Sequence, residues 1–242
     1  MPPVRQFATA NRGLVAFALE VESKAVFRVL SKSDKIHLPF PRFNRPTTVH
    51  RPGWDWQMCV FGPGEAFHRH LNQHLKELSY KPDFALLAGF SGGLSPHTKS
   101  GMAFEVKEVL NPPKAPVLVP TKGIAPKAVS LHSKSVYYYP SEKNQSFHTT
   151  GSDLVDMESS YFSQTMVGAD IPFGICRSIT DGPNESLPRQ SLHWVDSNGK
   201  IALGRLICDV LRSPGLIRAL FRLGKSSKLA GKNLGELVLQ AL

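Results

Sequence analysis

Four short segments of this chain gather acidic, small and soft side chains of the kinds that break polar bonds. Ala18-Leu19-Glu20-Val21-Glu22 ends the first apolar run with two carboxylates, which can cap a turn or serve as a general base. Gly89-Phe90-Ser91-Gly92-Gly93 follows the apolar run Phe84–Ala88. Small residues at the carboxyl end of a parallel strand let a flat ligand lie against the backbone and its N–H groups; a tight turn without ligand is the equal alternative. Val155-Asp156-Met157-Glu158 reads either as first-turn charges favoured by a helix dipole, or as a carboxylate that binds a diol beside a soft side chain on a sugar face. Cys176-Arg177-Ser178-Ile179-Thr180-Asp181 ends another apolar run with an acid, placed where α/β sheets carry active-site groups or where a helix takes an N-cap.

The pentapeptide around Ser91 also satisfies the G-x-S-x-G pattern of a nucleophile elbow, and Asp181 and His193 follow in the chain order of a hydrolase triad. An elbow must open directly into a helix. Here Leu94 to Gly101 contains Pro96 and reads as a loop, so a serine esterase using Ser91 is a distant alternative. His70 and His74 could share one helix face, but a lone pair of histidines without an HExxH pattern is more often surface than ligand, and no metal site is expected.

These segments need strands and helices to hold them. Apolar runs at Leu14–Leu19, Met58–Phe61, Phe84–Ala88, Ala103–Val109, Val117–Val119, Val136–Tyr139 and Pro172–Ile175 read as strands. Gly64–Leu78, Asp153–Val167 and the stretch from Ile201 onward read as helices, which makes the chain α/β. Five prolines between Pro112 and Pro126 predict an edge strand or a surface loop there. With no linker, repeat or low-complexity tract, residues 1–242 read as one domain with a basic helical tail at about 205–242.

The 242 residues, 20% charged and 41% hydrophobic, exclude a collagen, a coiled coil, a disulfide scaffold and wholesale disorder. Cys59, Cys176 and Cys208 are widely spaced in apolar settings, as expected of buried thiols in a reducing compartment. The net charge of +10 is concentrated in the tail, where Arg205, Arg212, Arg218, Arg222, Lys225, Lys228 and Lys232 face only Asp209. Ordinary core packing accounts for Leu206–Leu211; beyond the break at Pro214-Gly215, Leu216, Ile217, Leu220 and Phe221 beside arginines predict a helix that touches a membrane surface. One aromatic and no reading motif argue against nucleic acid as a partner. No signal peptide or spanning segment is evident, so a cytoplasmic protein with peripheral membrane contact is expected.

Taken together and in this order, the four segments resemble the motifs of the purine nucleoside phosphorylase and nucleosidase superfamily. Gly89-Phe90-Ser91-Gly92-Gly93-Leu94 is similar to its glycine-rich motif, Val155–Glu158 to its V-[ED]-M-E motif, Arg177–Asp181 to its R-x-[IV]-[ST]-D motif, and Phe61-Gly62-Pro63-Gly64 to its G-x-G turn. The tail, Leu211 to Gly224, is similar to that of the hopanoid-associated branch, whose members are taken to remove adenine from adenosylhopane. The resemblance implies a three-layer α/β/α sandwich with a mixed central sheet, a homo-oligomer, and an enzyme acting on a purine nucleoside without metal or organic cofactor. It implies that Asp181 serves the leaving base, that Glu22 activates water, and that Glu158 and Met157 hold the ribose. Phe90, Ser91 and Gly92 would line the base pocket, with Tyr137 or Tyr138 in place of the family's stacking ring. Phosphorolytic relatives grip phosphate with an arginine in the first loop. Glu20 and Glu22 stand there in this chain and would repel phosphate, so water is the expected nucleophile and phosphorolysis the alternative.

Overall fold

Side-chain alternation along the first strand defines the layers. In a computed structural model describing residues 10–34, 39–111 and 114–242, β1 (Asn11–Phe17) sends Leu14 and Ala16 into one core and Val15 and Phe17 into another. The first core is closed by Phe67 and Leu71 of helix α2 (Glu65–Glu77) and by Phe162 and Met166 of α4 (Ser159–Gly168). The second is closed by Val26 and Leu30 of α1 (Glu20–Asp34) and by Leu234 and Val238 of α6 (Leu216–Ala241). A sheet covered on both faces explains why its strands read as continuous apolar runs.

The remaining strands are β2 (Thr47–Arg51), β3 (Trp54–Val60), β4 (Phe84–Gly93), β5 (Ala103–Asn111), β6 (Lys114–Leu118), β7 (Lys127–His132), β8 (Leu154–Asp156) and β9 (Phe173–Asp181). They join in the order β2-β3-β1-β4-β8-β7-β5-β6, while β9 pairs with both β4 and β5. The sheet is mixed: β1 runs parallel to β3 and β4, and β4 parallel to β9, whereas β4 meets β8 and β5 meets β9 antiparallel. The pairings β4-β9-β5-β7-β8-β4 return on themselves, so this half of the sheet curls into a closed ring. Two further helices are α3 (Pro140–Thr150) and α5 (Leu203–Arg212).

Several expectations are corrected here. The glycine-rich segment is not a loop: β4 continues through Gly93 and pairs with β9 and β8 there. Asp153–Val167 divides into β8 and α4, because the Asp156 carboxylate accepts hydrogen bonds from the N–H groups of Glu158 and Ser159 and so starts the helix after itself. Val136–Tyr139 leads into a helix instead of forming a strand. The Glu142 carboxylate accepts the N–H groups of Tyr138 and Tyr139, and Pro140 occupies the first turn of α3. In the proline-rich stretch β6 is an edge strand on β5, while Pro112 and Pro113 lie outside the described residues.

The C-terminal segment behaves as two units. The second half of α6 is core: Gly231 and Gly235 let it press against α1, where an added Cβ would sit 2.6 Å from Ala25 Cβ and 2.5 Å from Val29 Cγ2. In contrast, α5 buries no residue. Leu203, Ile207 and Leu211, spaced by four on one stripe, are 64%, 55% and 75% exposed, and Phe221 of α6 is 77% exposed. Core packing of Leu206–Leu211 is therefore overturned, and Cys208 on α5 is exposed where a buried thiol was expected. Cys59 and Cys176 are buried, and that burial pushes both thiols up to about 12.

Candidate active site

The parallel strands β1, β4 and β9 end side by side, and a cavity of about 280 Å³ opens there. Glu22, Phe90, Ser91, Gly92, Tyr137, Met157, Glu158 and Asp181 all line it, so the eight residues singled out in the sequence converge on one pocket. Of the two candidate tyrosines, only Tyr137 is in the wall. Tyr138 instead engages its neighbours through its backbone, donating to Glu142 and accepting from Leu187.

Glu22 stands on the first turn of α1. One carboxylate oxygen accepts the N–H groups of Ala18 (3.1 Å) and Leu19 (2.8 Å), and the other accepts that of Phe90 (2.7 Å). Burial, followed by repulsion from Glu158, raises its pKa to about 7, against the pull of those N–H groups and of Arg177. A carboxyl poised there can exchange a proton with water near neutrality.

Glu158 is fixed from two sides. Its Oε1 accepts the Gly64 N–H at 3.0 Å, and its Oε2 lies 3.5 Å from the Arg177 guanidinium. The donor is presented by the turn Phe61-Gly62-Pro63-Gly64, whose glycines take φ of 83° and 57°, a region that favours glycine. Burial pushes the Glu158 carboxyl up; Arg177 opposes this and Asp156 adds to it. Met157 reaches the same turn, with its terminal methyl 3.4 Å from where a Gly64 Cβ would stand.

Arg177 organises this floor. Fully buried on β9, it donates to Asp156 (2.8 Å), Ser159 Oγ (3.1 Å) and the Phe90 carbonyl (3.3 Å). Although burial raises the Asp156 carboxyl, Arg177 and the donors from Ser130 and Ser159 hold it below its usual range. The glycine-rich strand makes room for this: a Cβ on Gly89 would lie 2.3 Å from Arg177 Nη1 and 3.0 Å from Glu22 Oε1.

Asp181 ends β9. Its Oδ1 accepts the Thr180 hydroxyl (2.7 Å), and its Oδ2 is 2.5 Å from the Nζ of Lys143, a fully buried lysine on α3. Sequence reasoning missed Lys143, because a lysine in the polar run Pro140–Thr150 has the composition of a solvated face. It also gave Arg177 no role. The signal was there: a guanidinium inside the apolar strand Phe173–Thr180 has to be paired.

The remaining wall comes from the segment after β9 and from α6, with Leu187, Ser191 and Val195 on the one and Leu223 and Ser227 on the other. Arg222 ties the two together by donating to the Ser186 carbonyl. Ser91 Oγ is buried with no hydrogen-bond partner among the described residues, β4 opens into no helix, and Asp181 is bonded to Lys143 and Thr180 and not to His193. No triad is assembled around Ser91.

The family model described as the phosphorylase superfamily matches residues 127–212, a span that runs from β7 through Asp156, Glu158, Arg177 and Asp181 to the end of α5. The match to that family is confined to this segment, about a third of the chain. Likeness to solved structures extends the shared fold across nearly the whole chain. A nucleosidase from Chlamydia trachomatis, solved bound to adenine, is similar with a TM-score of 0.64 at 16% identity, covering 96% of this chain and 97% of that one. The 5′-methylthioadenosine/S-adenosylhomocysteine nucleosidase of Neisseria meningitidis, solved with methylthio-immucillin-A, gives 0.63 at 14% identity over 96% and 100% of the two chains. That of Helicobacter pylori gives 0.63 at 12% identity with the same coverage. A search of curated proteins finds no match.

Proposed function

We propose that this protein is a nucleosidase that cleaves the N-glycosidic bond of a purine nucleoside, most favourably an adenosyl compound, with water as nucleophile. The observation that carries this reading is the convergence on one pocket of a carboxyl poised near neutrality, Glu22, a fixed carboxylate beside a soft side chain, Glu158 with Met157, and an acid at a strand end, Asp181. Glu22 takes the proton of the attacking water. Glu158 accepts hydrogen bonds from the ribose hydroxyls while Met157 packs on the sugar. Asp181 serves N7, so that the base departs neutral, with Phe90, Ser91, Gly92 and Tyr137 around it.

Water is favoured over phosphate by the charge of the wall. Among the described residues Lys143 is the only cationic side chain lining the pocket, and it is already paired. A phosphate dianion would meet Glu22 and Glu158 in the wall, with the Arg177 guanidinium beneath them already engaged by Asp156 and Glu158.

The apolar wall at Leu187, Val195 and Leu223 supports an apolar 5′ substituent, with lipid-linked adenosylhopane as the specific candidate, and Leu223 shares α6 with the exposed Phe221. The exposed stripe of α5 and Phe221, with Arg205, Arg212, Arg218 and Arg222 nearby in sequence, supports peripheral contact with an anionic membrane surface. The test is base release from a panel of purine nucleosides, with and without phosphate. Adenine released without phosphate is expected; strict dependence on phosphate would overturn hydrolysis, and release only from an amphiphilic nucleoside would fix the 5′ group.

A further inference from the structure

Lys143 has no part in the reaction described above, yet it is the fully buried lysine of the pocket wall. Burying an ammonium group is costly unless every proton is matched. Here its three protons meet three acceptors: Asp181 Oδ2 at 2.5 Å, the Gly182 carbonyl at 2.8 Å and the Glu185 carbonyl at 2.9 Å. Such a complete shell fixes the lysine against the one side chain assigned to the leaving base. The Asp181 oxygen assigned to the base thus rests against an ammonium group, and the nearest proton to it is on Lys143 Nζ.

Resting on the nucleosidase reading, we propose that Lys143 supplies, through Asp181, the proton that the leaving purine takes up. The Nζ–H bond breaks and its proton bonds to Oδ2 of Asp181, leaving a neutral amine. The carboxyl O–H then breaks as the proton bonds to N7, and the electron pair of the glycosidic bond moves to N9, so the base leaves neutral. Water adds at the sugar carbon and its proton goes to Glu22. Solvent then returns a proton to Lys143 and removes one from Glu22. Asp181 begins and ends the cycle as a carboxylate.

The other charged groups around the pair are already engaged. The Glu185 carboxylate accepts from Ser100 Oγ (2.6 Å) and the Gly182 N–H (2.7 Å), with Arg222 of α6 nearby. Glu142 on α3 is bound to the backbone of Tyr138 and Tyr139. Glu22 and Glu158 line the same pocket and are held by the backbone N–H groups of Ala18, Leu19, Phe90 and Gly64.

The test is the pH profile of adenine release from adenosine and its 5′-substituted analogues, in the wild type and in Lys143→Met. An unpaired carboxylic acid is fully ionised by roughly pH 9, whereas an ammonium group is not. Wild-type release is therefore expected to persist to that pH, with the variant at least about 100-fold slower at neutral pH and falling further behind as pH rises. In Lys143→Ala, added methylamine should restore part of the rate. A wild-type to variant ratio constant across pH, with no amine rescue, would show a structural residue only and overturn the proposal. If neither variant gives a cooperative melt, the wild-type profile decides, since release that dies away well below pH 9 overturns it. No base released by the wild type at any pH would instead defeat the nucleosidase reading itself.

Discussion

At the scale of single residues, two carboxyls of the pocket face opposite tasks in different surroundings. Glu22, raised to about 7 by burial and by Glu158, is protonated below that pH and cannot accept a proton from water. The rate of base release at limiting substrate is therefore expected to fall as pH drops through about 7, an acid limb that a pH–rate profile checks and that Glu22→Gln should abolish together with most activity. Asp181→Asn should lower base release by at least about 100-fold, and because it takes the counter-charge from the buried Lys143 it should also lower the melting temperature. Arg177 carries structure: with its partner removed, Asp156 would be a buried charge without a counter-ion, held only by neutral donors of Ser130, Glu158 and Ser159, so Arg177→Met should cost about 3–5 kcal/mol in denaturant unfolding. The acids at strand ends were legible in sequence because residue type and position along an apolar run suffice to flag them. Lys143 was not, since its burial follows from where α3 lies across the end of β9, a tertiary fact without local trace.

At the scale of elements, the runs buried on both faces were plain from composition, while shorter elements depended on contacts far along the chain. Neither β2 nor β7 stood out, and β8 was hidden inside an apparent helix, because three residues of strand take their identity from pairing with β4 and β7. The tyrosine run ahead of α3 has strand composition but is turned into a helix start by Glu142 and Pro140. Contact between α1 and α6 depends on small residues. Gly235→Val would drive its side chain into Val29 and should destabilise by about 1–3 kcal/mol. Gly224, in the same helix with nothing within 4 Å of an added Cβ, provides the control: Gly224→Ala should be neutral or gain up to about 1 kcal/mol. Thermal melts of the pair separate close packing from helix propensity.

At the scale of the whole molecule, three layers hold the pocket at the ends of β1, β4 and β9, and the basic segment borders it by way of α6. No helix among the described residues is long and apolar enough to cross a membrane. The exposed stripe of α5 and Phe221, with its arginines, predicts co-flotation with phosphatidylserine vesicles that weakens as salt rises and is lost in Leu211→Ser with Phe221→Ser. Equal flotation of the two proteins would contradict membrane contact, and a fall in sedimenting mass in the variant would assign the stripe to a second copy of the chain. The central claim is that water, and not phosphate, breaks the glycosidic bond in this pocket. It is tested most directly by turnover in oxygen-18 water with phosphate present, reading the mass of the sugar product. One labelled oxygen in the free sugar, released with the purine, is the predicted result; an unlabelled sugar phosphate would contradict it.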